Sequence, residues 1–178
     1  MIYQSNLFRF AIYMILNAHI ASVAIAADDC IGPTSLVKVK LLVNETSALH
    51  TFNYTIINNT NKSIYMFRIG EGATTEMRLY PNQNVDVTSS PPGWSGMVTQ
   101  KYEGLDNHIN WHEDNKDMIE PNETTSGFEV TITAPPPNPT AWQDVDGKIL
   151  LPLDLKTMPY QIYFTNHTCI WGIPEIVN

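Results

Sequence analysis

Imidazole and carboxylate groups crowd one short stretch of this sequence: Asp106, His108, His112, Glu113, Asp114 and Asp117. Together they are the side chains that zinc or another divalent cation requires, and carboxylates so placed could also pair for hydrolysis of a glycoside. The spacing argues against a ready-made site. His108 and His112 are four apart, which aligns two ligands on a helix; along a strand the same interval leaves them on one face but about 13 Å apart. No histidine stands three residues beyond Glu113, so the zinc-protease pattern is missing. The expectation is a solvated acidic loop flanking a core tryptophan, Trp111. A divalent metal on His108, His112, Asp106, Glu113 and Asp114, or a small secreted hydrolase built on the same 106–117 cluster, is the alternative.

Two further segments begin like functional motifs and stop short. Asp144-Val145-Asp146-Gly147 has the alternate carboxylates of a calcium loop, but Lys148 and Ile149 follow where oxygen ligands are needed, and Asp-Gly is also a common hairpin turn. Gly93-Trp94-Ser95-Gly96 starts like a nucleophile elbow, yet its second glycine comes one position early, and a β-sandwich lacks the strand-to-helix turn that exposes such a serine. The aromatic residues offer a different chemistry. Trp94 and Trp142 fall in or beside Pro-rich crossings, where an exposed indole stacks on a sugar ring or anchors a partner. Trp111 and Trp171 read as core residues of strands.

The elements that would carry these residues are strands. Beyond residue 30 helical periodicity is nearly absent, while period-two alternation and β-branched or aromatic clusters recur between turn residues. Strands are expected at 36–43, 49–58, 63–69, 76–80, 85–88, 97–102, 108–111, 127–133, 148–151, 160–165 and about 169–173. In the second, His50, Phe52, Tyr54 and Ile56 share one face, and Thr51, Asn53, Thr55 and Ile57 the other. The turn at residues 58–62 predicts a hairpin between the second and third strands. Pro91-Pro92-Gly93 and Pro135-Pro136-Pro137 cannot lie in central strands and mark long surface crossings. The polar stretch 104–125 reads as a long loop around one short strand.

From Ser47 to Ile173 the order YTIINNTNKSIYMFRIGEG, SPPGW, HINWHED, IEPNETTSGFEVTITAPPP and PYQIYF resembles the uncharacterised secreted immunoglobulin-like sandwich domains of bacterial exported proteins. Trp94 after Pro-Gly, Trp111 in an Ile-x-Trp strand and Gly127-Phe128 opening a strand carry the resemblance. It implies an all-β, two-sheet immunoglobulin-like β-sandwich of about 8–9 strands, and is nearly silent on activity.

The start of the chain reads as a cleavable signal peptide over residues 1–26: Arg9, an apolar stretch from Phe10, then small residues ending Ala24-Ile25-Ala26. Residues 27–178 then form a single domain, secreted or periplasmic, in which Cys30 and Cys169 can pair only with each other. The pair should tie the first strand to the last. Asp28 and Asp29 before Cys30 speak against a lipid anchor, and no membrane anchor is expected in the mature chain. Loss of Arg9 leaves the acidic excess larger than the full sequence's net charge of −8, which disfavours nucleic acid and anionic membrane as partners.

Six Asn-x-Ser/Thr sequons begin at Asn44, Asn53, Asn58, Asn61, Asn122 and Asn166. A eukaryotic secretory pathway would glycosylate several; alternatively, Asn and Thr alternating along exposed strand faces create sequons without glycans, and the bacterial resemblance implies the second. The composite expectation is a non-catalytic interaction or structural module with a protein or glycan partner and no cofactor. Its binding surface is expected at the sandwich end formed by 91–96 and 104–125. A carbohydrate-binding module using Trp94 or Trp142 is the alternative to a protein partner.

Overall fold

The computed structural model describes residues 30–70, 83–99, 108–134 and 153–178, with the backbone of 142–143 and 149–150. The expected signal peptide 1–26, the expected strand 76–80, Asp106 and Asp144 to Gly147 lie outside these residues. The described chain contains no helix. Its strands are β1 (Val37–Glu45), β2 (Leu49–Asn58), β3 (Ile64–Ile69), β4 (Val85–Ser89), β5 (Trp94–Thr99), β6 (His108–Glu113), β7 (Glu123–Thr133), β8 (Trp142–Gln143), β9 (Ile149–Leu150), β10 (Tyr160–Phe164), β11 (Cys169–Gly172) and β12 (Glu175–Val177).

Ten of these strands make two five-stranded sheets, ordered β12-β1-β2-β7-β4 and β11-β10-β3-β6-β5, and β8 pairs with β9 as a separate ribbon. All pairings between strands are antiparallel except that of β1 with β12. The order β1-β2-β7-β4 against β3-β10-β11 is the A-B-E-D and C-F-G arrangement of an immunoglobulin-like sandwich. A hairpin, β5 and β6, is inserted between the D-like and E-like strands and extends the opposite sheet beside β3. That insertion widens the second sheet from three strands to five.

Alternation dictates the inner faces. Phe52, Tyr54 and Ile56 of β2, Phe128, Val130 and Ile132 of β7, and Ile109 and Trp111 of β6 are all buried in one core, as period two demands of strands with one face covered. Its centre is aromatic: Trp111 stacks on Phe67 at 5.3 Å between centroids, and Phe128 meets Trp94 edge-on at 5.2 Å and Trp111 at 5.7 Å. The residues that carry the family resemblance are thus a packing motif. Gly127, at φ +100°, is the extra residue where Tyr54 pairs with Phe128 but Thr55 with Ser126; this bulge requires a backbone that glycine adopts freely. Gly96 lies under Trp111, since a Cβ there would sit 2.5 Å from its indole nitrogen. The Tyr54 hydroxyl is buried without a hydrogen-bond partner among the described residues, and burial pushes its pKa far up.

Several expectations are corrected. β2 and β3 lie in different sheets, so residues 59–63 form an arch between sheets rather than a hairpin turn. Asn58 closes it: the fully buried side chain donates to the carbonyls of Lys62, Ile119 and Glu120 and accepts from the backbone N–H and hydroxyl of Thr60. Pro91 to Trp94 is a tight turn, closed by a 3.0 Å bond from Trp94 N to Pro91 O, that crosses between sheets. The stretch 104–125 contains the six-residue β6 and the start of the eleven-residue β7. The Cys30–Cys169 disulfide is present, with Cα atoms 4.6 Å apart. Cys169, however, belongs to the penultimate strand; the last, β12, pairs with β1 in the other sheet. Ile31 lies parallel to β11, accepting from Trp171 N and donating to Cys169 O at 3.0 Å each, before the chain crosses to β1.

Candidate functional site

With the inner faces committed to the core, side chains with free chemistry must project outward. On the second sheet, registers align two outward rows across all five strands. The first runs Trp171, Gln161, Arg68, Asn110, Met97 from β11 to β5; the second runs Cys169, Tyr163, Met66, His112, Ser95. Hydrogen bonds join the rows. Arg68 Nε donates to Asn110 Oδ1 and Nη1 to the Tyr163 hydroxyl at 3.1 Å, while that hydroxyl donates to Gln161 Oε1 at 2.8 Å. Asn110 Nδ2 donates to Thr99 Oγ1 at 3.2 Å, and the Arg68 guanidinium lies 5.3 Å from the Tyr163 ring centroid, within cation–π range. Tyr65 approaches the Tyr163 ring edge-on at 6.4 Å.

The row ends differ from its middle. Trp171 is 41% exposed and Met97 50%, whereas Gln161 is 2% exposed and acts from beneath, as acceptor for Tyr163. Trp171 therefore reverses the core assignment made from sequence. It faces outward because its neighbours Ile170 and Gly172 face in, Gly172 so closely that a Cβ would lie 2.6 Å from the Tyr160 hydroxyl.

Trp94 reverses in the other direction. The expected exposed indole is 6% exposed, packs edge-on against Phe128, and donates from Nε1 to the carbonyl of Asp117 at 2.7 Å. A buried ring whose only polar atom is satisfied has no face to offer a sugar. Trp142 begins β8, and its side chain lies outside the described residues.

The described members of the 106–117 cluster do not converge on one point. His108 and His112 both project outward from β6, with His108 buried and paired across to Thr99. Glu113 instead accepts from Lys116 N at 2.6 Å. Among the described residues no group of three or more His, Cys, Asp or Glu side chains is placed to hold a metal ion. What does meet is Ser95, Asp114 and His112. The Ser95 hydroxyl donates to Asp114 Oδ2, and His112 Nε2 stands 3.5 Å from Asp114 Oδ1. The carboxylate sits between serine and imidazole, so the hydroxyl proton faces a weak base and not the histidine that nucleophilic catalysis needs.

No protein-family model matches the chain, and no curated protein matches it. Solved structures do. An uncharacterised protein from Nocardia farcinica with an immunoglobulin-like fold is similar at 11% identity and TM-score 0.47, over 79% of this chain and 88% of that one. Carbohydrate-binding module CBM3b of cellobiohydrolase 9A from Clostridium thermocellum is similar at 13% identity and TM-score 0.42, over 78% and 98%. A GH20 exo-β-N-acetylglucosaminidase from Vibrio harveyi is similar at 13% identity and TM-score 0.38, over 80% of this chain but 18% of its own.

The sequons also sort by geometry. Asn58 is sealed in the arch, Asn53 is half-buried and donates to Glu129, and Asn61, Asn122 and Asn166 are exposed outside the strands. Strand alternation thus leaves these last three sequons unexplained.

Proposed function

We propose that this chain is an exported, non-catalytic sandwich module that binds its partner through the outer face of the β11-β10-β3-β6-β5 sheet. The observation that carries the reading is the hydrogen-bonded outer row with Trp171 exposed at one end and Met97 at the other. Aromatic residues, methionine and arginine, the types that this face presents, are enriched at contact surfaces. Export is supported by the disulfide, which forms and persists in oxidising compartments, and by the leader-like first 26 residues. No helix among the described residues is long and apolar enough to cross a membrane. The wiring of Ser95 to Asp114 supports a role other than hydrolysis.

The test is capture of secreted material from the native host by the immobilised mature chain, by a Trp171→Ala/Met97→Ala variant, and by an Asn53→Ala control on the opposite sheet. Capture lost only in the double variant, with its melting temperature within a few degrees of the parent, is the expected result. Equal capture by all three proteins would remove the face from the account.

A further inference from the structure

Resting on that reading of the face, we propose that its occupant is a neutral polysaccharide chain laid across the first row from Trp171 to Met97. Three observations select this class. The first is the distribution of polarity. Protein interfaces place apolar anchors at the centre and polar groups at the rim; here Arg68 and Asn110 occupy the middle, and the indole and thioether stand at the ends. A polyhydroxylated chain suits that order, since the apolar face of a terminal ring can stack on the indole while hydroxyls meet the amide, the guanidinium and the Tyr163 hydroxyl.

The second is charge. Arg68 is the one cationic side chain of the first row, and its Nε and Nη1 are engaged by Asn110 and Tyr163. The chain as a whole is acidic, with 18 carboxylates against 10 basic side chains, so a polyanionic glycan meets repulsion with little local attraction. The third is shape. Four inter-strand steps of about 4.8 Å make a row of roughly 19 Å, long enough for about four pyranose rings end to end. The bonds from Arg68 and Tyr163 hold the polar floor in place before the ligand arrives, which lowers the ordering cost of binding.

Titration calorimetry on the mature chain with cellohexaose, chitohexaose and hexagalacturonate tests the proposal, with tryptophan emission followed in parallel. One of the two neutral hexasaccharides should bind, Trp171→Ala should weaken it at least tenfold, and Trp171→Phe, which keeps an aromatic plane, should weaken it less than Trp171→Leu, which keeps only apolar bulk. Hexagalacturonate should bind at least tenfold more weakly than the better neutral ligand. Tighter binding of hexagalacturonate would overturn the neutral character. Absence of binding by all three, with host material still captured through Trp171, would end the glycan assignment and leave the face reading standing; capture that ignores Trp171 and Met97 would end both.

Discussion

The two sheets bury equivalent inner faces and turn different outer faces to water. Outward from the first sheet stand Lys38, Lys40 and Leu42 of β1, Thr51, Asn53 and Thr55 of β2, and Glu129 and Thr131 of β7. These are short, branched or charged, and their contacts are local, such as Asn53 and Thr88 both donating to Glu129. Outward from the second stand an indole, two phenols, two thioethers, an arginine and two amides, tied by bonds that cross three strands. The core constrains both inner faces alike, so only the outer faces were free to diverge. Two of the five strands of the second face, moreover, belong to the inserted hairpin, which carries Met97 and Ser95 on β5 and Asn110 and His112 on β6. An immunoglobulin-like sandwich needs neither strand, and a five-strand face is what they add.

The largest effect that bears on this contrast is expected at the disulfide. It fastens β11, the edge that presents Trp171, to the segment preceding β1, across a separation of 139 residues. Closing a loop of that size stabilises a fold by about 5 kcal/mol on the chain-entropy model. Replacing both cysteines with serine should remove most of that in urea unfolding and reduce partner capture by freeing the edge. A variant that keeps its unfolding midpoint would show that β11 is held by the sheet alone.

Next in size is the difference between two tryptophans. Trp94 lies against Phe128 beneath the sheet, and Trp171 lies on top of it. Trp94→Ala should cost about 3–5 kcal/mol through the cavity and the lost bond to Asp117, while Trp171→Ala leaves the midpoint nearly unchanged. If thermal melts gave the opposite ranking, the assignment of inner and outer faces on the second sheet would be inverted.

That pair also shows what the sequence could and could not disclose. β2 was legible because Phe52, Tyr54 and Ile56 alternate with Thr51, Asn53 and Thr55, one side apolar and the other polar. In β11 the run Cys169-Ile170-Trp171-Gly172 has no polar residue, so alternation cannot say which side faces in. The deciding fact is that Gly172 fits beneath Tyr160 of the neighbouring strand, a tertiary contact. For Trp94 a signal existed. Trp94, Gly96 and Val98 alternate with Ser95, Met97 and Thr99, but the Pro-Pro-Gly before them reads as an extended crossing and hides the start of β5. The arch at Asn58 was read as a hairpin for a similar reason: turn residues announce a reversal, and only burial of the Asn58 side chain tells which sheet the returning strand joins. The strand expected at 108–111 is present and runs two residues further, to Glu113, yet the partners of its side chains, Ser95 above all, come from pairing with β5 and have no trace in local spacing.

The smallest expected effect sharpens the contrast from the first-sheet side. At the end of β1, Glu45 Oε1 accepts from Lys156 Nζ at 2.7 Å, with His50 Nδ1 4.0 Å away and Asp154 3.6 Å from the same ammonium. The Lys156 hydrogen bond, aided by the positive charges of Lys156 and His50, holds the Glu45 carboxyl below its usual pKa, and the same bond holds the Lys156 ammonium above its own. A carboxyl whose folded pKa is depressed contributes stability above its unfolded value and loses it as pH falls through the folded one; a raised ammonium contributes below its unfolded value and loses it as pH rises through the folded one. Both groups are well exposed, with side-chain exposures of 44% and 33%, so solvent screening keeps the pair under about 1 kcal/mol. Lys156→Met should therefore flatten the stability profile slightly below about pH 5 and above about pH 10, with the difference shrinking in high salt. Partner capture should not change, because this pair stands apart from the Trp171 row; a loss of capture in Lys156→Met would mean that the two sides of the sandwich are coupled, and the division between a wired face and an inert one would fail.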